Sequence, residues 1–105
     1  LWADHDRSWR NAASRRVWDG ETPNQFRDLD FATAVDLLSA LNVAKTLQDL
    51  SSLKSVGLHK LKGDRAGQWA MTVNARWRTC FSFRKGDARD VEIVDYHRGR
   101  MQPQP

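Results

Sequence analysis

Two hydrophobic periods run along this chain, and one replaces the other near its middle. Phe31, Ala34, Val35, Leu38 and Leu41 recur at spacings of three and four, which is one face of a helix. Asp28 or Asp30 stands where its N-cap belongs. The stripe breaks near Asn42-Val43 and resumes at Ala44, Leu47 and Leu50. A shorter helix is predicted upstream, capped by Asn11, reaching about Trp18 and stopped by Gly20. Residues 7–9 read as a short strand, 21–24 as a loop and 51–55 as a connector.

Beyond residue 57 the period becomes two. Residues 58–62, 68–73, 76–84 and 90–94 read as strands, with turns at 63–67, 74–75 and 85–87. In the third strand Trp77, Thr79, Phe81 and Phe83 alternate with Arg76, Arg78, Cys80, Ser82 and Arg84. Alternation places the first set on the core face and the arginines on the other. The expected architecture is α+β, with two N-terminal helices packed on a twisted, mainly antiparallel sheet. A chain of 105 residues suits one domain, read as 1–97, followed by a loose polar tail at 98–105.

Composition narrows the class. Hydrophobic residues make up 40% and charged residues 29%, as in a globular chain rather than a disordered one. Charges interrupt every apolar stretch, so no membrane span is expected, and no secretory core is read at the start. The expected compartment is the cytoplasm. The lone cysteine, Cys80, has no internal disulfide partner, in keeping with a reducing compartment.

Charge changes the picture more. The net charge is +4, with a pI near 9.7. Residues 57–85 hold seven cations and one acid, a net +6, while the remainder holds ten cations and twelve acids, a net −2. A basic face of this kind suits a polyanion.

Beside that segment lie the parts that RNA cleavage requires. A base takes the 2′-hydroxyl proton, fixed cations hold the phosphorane charge, and an acid protonates the leaving 5′-oxygen. Histidine is the side chain suited to proton transfer near neutral pH, and His59 and His97 are the two candidates for the proton steps. Lys62 and Arg78 suit the phosphate. Tyr96 can stack on a base, and Asp95 can orient a histidine or pair with an arginine. Two geometries stay open for the 95–97 run. Asp95 and His97 share a face with Tyr96 opposite, or the strand ends near Asp95 and all three bend into a cleft. The close-spaced ligand pair of a zinc motif is missing, so no metal or cofactor is expected.

The runs LHKLKGDRAGQW (58–69), VNARWR (73–78) and VEIVDYH (91–97) resemble the HigB-type toxins of the RelE superfamily, the plasmid maintenance killer proteins. The resemblance implies a RelE-like, microbial-ribonuclease-type fold. It also implies a toxin of a type II toxin–antitoxin system, an endoribonuclease that cuts messenger RNA in the ribosomal A site without a metal and so inhibits translation. The implied partners are the ribosome and its messenger, a HigA-like helix-turn-helix antitoxin and, through that complex, operator DNA. By position, His59, Lys62, Arg78, Asp95, Tyr96 and His97 match the family's active-site positions, and Lys60, Arg65, Arg76 and Arg84 would contact RNA. Many members carry glutamate where His59 stands. The rival readings are a ParE-like gyrase inhibitor or a non-catalytic RNA-binding module on the same fold.

Overall fold

A computed structural model describes residues 9–53, 57–97 and 100–101, with side chains through Asp95. Residues 7–8 of the expected first strand lie outside the described residues. The described elements are α1 (Ala12–Trp18), α2 (Phe31–Val43), α3 (Leu47–Ser51), β1 (His59–Lys60), β2 (Trp69–Thr72), β3 (Trp77–Arg84), β4 (Asp87–His97) and β5 (Arg100–Met101). A 3₁₀ turn, Gly63–Arg65, sits between β1 and β2. The strands pair in sequence order, every pair antiparallel.

Local chemistry sets the helix ends. The Asn11 side chain accepts from the Ser14 amide at 2.9 Å to start α1. Gly20, at φ +93°, closes it. Asp30, not Asp28, caps α2, accepting from both the amide and the hydroxyl of Thr33. The break after Val43 is real, and a third helix follows it, one more than the hydrophobic stripe predicts. Thr46 and Asp49 form a reciprocal capping box that lets five residues hold a helical turn.

The strand lengths differ from the sequence reading. β1 keeps only two residues, and β4 extends to eleven. Arg84 pairs with Asp87, so Lys85 and Gly86 alone make the β3–β4 turn. Their φ values of +50° and +76° suit a two-residue type I′ hairpin. Glycine is needed there twice over, since a Cβ on Gly86 would lie 3.2 Å from the Lys45 carbonyl oxygen. Asp90, at φ +54°, lies where the β3–β4 register shifts.

The outer edge of β4 is covered by other parts of the chain. Trp9 bridges Val91 in parallel, and the Arg10 amide donates to the Val91 carbonyl at 2.9 Å. The Ile93 amide donates to the buried Ser14 hydroxyl at 2.9 Å. Farther along, Arg100–Met101 pairs with Tyr96 and His97, so part of the expected tail is a strand. These contacts occupy an edge that would otherwise invite another strand.

The main core lies between the helices and one sheet face. Leu38 and Leu41 from α2 meet Val17 from α1 and Met71, Trp77, Phe81, Val91 and Ile93 from the sheet. Each large side chain buried this way contributes about 1.5–3 kcal/mol. Trp77, Thr79 and Phe81 face the core side as alternation predicts. The opposite face needs a correction. It is not simply a row of cations, because Leu61, Ala70, Cys80 and Val94 bury a second, smaller apolar cluster there. Each of those four residues comes from a different strand or its immediate neighbour, so the cluster exists only once the sheet has paired.

Candidate active site

The pairing register sorts the candidate residues onto two faces. His59, Ala70, Cys80 and Glu92 form one row across four strands, and Arg78 pairs with Val94 in another row of the same face. This is the face of the second cluster. Lys60, Trp69 and Phe81 form a row on the helix side, and so do Trp77 and Asp95. The register therefore puts His59 and Arg78 on one face and Lys60 and Asp95 on the other.

His59 is exposed, and its Nδ1 lies 3.2 Å from the Gly57 carbonyl oxygen. Lys62 is exposed in extended backbone, immediately before the Gly63–Arg65 turn. Arg78 is half-buried and donates to the Asn74 carbonyl at 2.7 Å and the Trp77 carbonyl at 3.1 Å. It thereby ties down the β2–β3 turn. The backbone of β4 stays extended through His97, which disfavours the bent alternative in which the strand ends near Asp95. The side chains of Tyr96 and His97 lie outside the described residues.

Asp95 does not stand free to serve a histidine. Arg76 grips its carboxylate in a fork, Nε to both oxygens at 3.2 Å and Nη2 to Oδ2 at 3.0 Å. The same guanidinium lies 5.2 Å from the Trp77 ring centroid and 4.0 Å from the Asp28 carboxylate. Arg76 is thus occupied by protein groups in this arrangement, where the sequence reading sets it against RNA. The loop before α2 closes the same end, since the Asn74 amide group donates to the Asp28 carbonyl and the Trp77 indole to that of Arg27, each at 2.8 Å.

Arg65 also departs from an RNA-contact role. Its side chain is only 13% exposed and forms an ion pair with Glu92 at 3.2 Å. A second nitrogen donates to the Gln68 amide oxygen at 2.9 Å. Glu92, itself 13% exposed, also meets Arg10 at 3.6 Å and receives the Asn11 amide group at 3.4 Å. The sequence reading passes over Glu92. Its signal was there, because period two sets Val91 and Ile93 on the core face and Glu92, with Asp90, on the face that carries the arginines. Arg84 is exposed beside the hairpin turn. It lies six residues from Arg78 along β3, roughly 20 Å away, so those two cations do not share one phosphate.

Cys80 is fully buried, and burial pushes its thiol up to about 12. That keeps it protonated at neutral pH and unsuited to nucleophilic attack. Among the described residues no group of three His, Cys, Asp or Glu side chains could hold a metal ion. Nor is any described helix long and apolar enough to cross a membrane.

With this geometry in place, comparison with known proteins is decisive for the family. Residues 16–97 match the HigB-like toxins, described as the RelE-like toxin of the type II toxin–antitoxin system HigB. The chain belongs to this family. The match spans all six candidate active-site positions. A curated relative, the endoribonuclease HigB of Proteus vulgaris, is 44% identical over 62 residues. That alignment covers 59% of this chain and 66% of the relative. The α+β architecture, with helices on one face of an antiparallel sheet, agrees with a RelE-like fold.

Proposed function

We propose that this chain is the toxin of a type II toxin–antitoxin pair and an endoribonuclease that cuts messenger RNA in the ribosomal A site. The observation that carries the proposal is the family match across residues 16–97, which takes in every candidate active-site residue. The printed activity of the Proteus vulgaris relative agrees with it, as does the net +6 of residues 57–85.

In this reading the 2′-hydroxyl attacks the adjacent phosphate and the 5′-oxygen leaves. His59 and His97 move the protons, and side chains carry every step, so no metal is required. Three strand spacings, roughly 14 Å, separate the backbones of β1 and β4. The two histidines therefore do not act on each other. Lys62 and Arg78 hold the phosphorane charge. Tyr96 positions the nucleotide. Asp95, gripped by Arg76, stiffens the end of β4 that carries Tyr96 and His97. Exposed Lys60 and Arg84 contribute to the long-range field around the RNA. The cytoplasm, a HigA-like antitoxin and operator DNA bound through that complex complete the proposal.

Expression in bacteria tests it. The parent arrests growth, whereas folded Lys62→Ala and His97→Ala variants do not. Variants as toxic as the parent contradict the assignment. Arrest accompanied by DNA damage and intact messengers would favour the gyrase-inhibitor reading, and binding to RNA without new ends would favour the plain RNA-binding module.

A further inference from the structure

We infer that Glu92 is a positioning residue, acting through Arg65 to fix the turn that carries Lys62. The inference rests on the ribonuclease reading above. Glu92 comes from β4, and its carboxylate reaches two separate parts of the chain. On one side it binds Arg10 and Asn11 at the entry to α1, at 3.6 and 3.4 Å. On the other it binds Arg65 at 3.2 Å, where both side chains are 13% exposed.

Arg65 is the last residue of the Gly63–Arg65 turn, and its own amide donates to the Lys62 carbonyl at 3.3 Å. Its guanidinium also donates to the Gln68 side-chain oxygen at 2.9 Å, and the Gln68 backbone amide donates to the Arg65 carbonyl at 3.0 Å, which turns the chain back toward β2. Lys62 itself is exposed and makes no side-chain cap to the turn. Its backbone is held on one side by buried Leu61, whose amide donates to the Gln68 carbonyl at 2.9 Å, and on the other by the Arg65 anchor. Gly63, at φ +67° with open space around it, adds no packing of its own. The second apolar cluster lies in the same face, so water has little access to the Arg65–Glu92 pair and the pair is stiffer than a surface ion pair.

A lysine ammonium meant for a phosphorane must be placed to within a fraction of an ångström, and misplacement by about 1 Å can cost roughly a hundredfold in rate. Glu92 touches no reacting atom in this account. Its effect on the reaction passes entirely through Lys62. That gives a signature which a purely structural carboxylate lacks, since losses through one shared group do not add.

The test is single-turnover cleavage of messenger on programmed ribosomes by the parent, Glu92→Gln, Arg65→Lys, Lys62→Ala and the Glu92→Gln/Lys62→Ala double variant. Thermal midpoints confirm that each is folded, and the charge-conserving Arg65→Lys serves if Glu92→Gln does not fold. Glu92→Gln and Arg65→Lys should each slow cleavage roughly ten- to a hundredfold with ribosome affinity unchanged. The double variant should be no slower than Lys62→Ala alone. Parental rates in Glu92→Gln and Arg65→Lys, or a Glu92→Gln loss that multiplies fully with that of Lys62→Ala, would overturn the inference and leave the ribonuclease reading standing. A parent that cuts nothing would overturn both.

Discussion

At the scale of single residues, partners decide which charges are available. Arg76 and Arg65 both belong to the basic segment, yet each is spent on a carboxylate, Asp95 for one and Glu92 for the other. A fork of two nitrogens on one carboxylate is something arginine does and lysine does not. Arg76→Lys should therefore lower messenger cleavage nearly as far as Arg76→Ala, as measured on programmed ribosomes. Preservation of activity by lysine would instead mark Arg76 as a simple RNA counter-charge. Cys80 gives a second residue-level expectation. Its thiol is raised from the ordinary 9.0 to about 12, so the folded state holds the proton more tightly than the unfolded state. The resulting stabilisation is complete below about pH 9 and is lost as pH climbs toward 12. Urea midpoints measured from pH 8 to 11 should fall for the parent and show a weaker alkaline slope in Cys80→Ala. Equal slopes would contradict this.

At the scale of elements, α1 is as much a cover for β4 as a helix in its own right. Ser14 is fully buried and takes the Ile93 amide that no neighbouring strand takes. Ser14→Ala leaves that donor orphaned, at a cost of about 1–3 kcal/mol, readable in urea unfolding. Thr79 offers the reverse case. Its hydroxyl is buried without a hydrogen-bond partner, so Thr79→Val should be neutral or stabilising by about 1 kcal/mol. The helices and strands were legible because their signals are local: caps at Asn11 and Asp30, a 3-4 stripe through α2, and alternation from Trp77 to Phe81. The third helix was obscured because its apolar positions Leu47 and Leu50 continued the α2 stripe, while its start depends on the Thr46–Asp49 capping box. The second apolar cluster escaped notice for a different reason. Leu61, Ala70, Cys80 and Val94 meet only through register across four strands, and a cysteine between Arg78 and Ser82 on the polar face gives no sign of burial. The Arg76–Asp95 and Arg65–Glu92 pairs span 19 and 27 positions, so charge counts alone made their arginines look free.

At the scale of the molecule, the helices and the basic sheet give the chain two unlike sides. One packs Leu38, Leu41 and Phe81 between helices and sheet, and the other carries His59 and Arg78 over a small apolar floor. Attraction of the basic segment to RNA is electrostatic, so ribosome binding should weaken steeply as salt rises. Membership of the HigB-like toxin family and the endoribonuclease name of the Proteus vulgaris relative agree with the ribonuclease reading proposed above. The chemistry proposed for that cleavage leaves a mark on its product, because attack by the 2′-hydroxyl closes a 2′,3′-cyclic phosphate and frees a 5′-hydroxyl. The most direct measurement maps both new ends of a messenger incubated with the purified chain, with and without programmed ribosomes. The account predicts cuts at the A-site codon only when ribosomes are present, bearing a 2′,3′-cyclic phosphate and a 5′-hydroxyl, and absent with Lys62→Ala. Intact messenger, or 5′-phosphate ends, would contradict it.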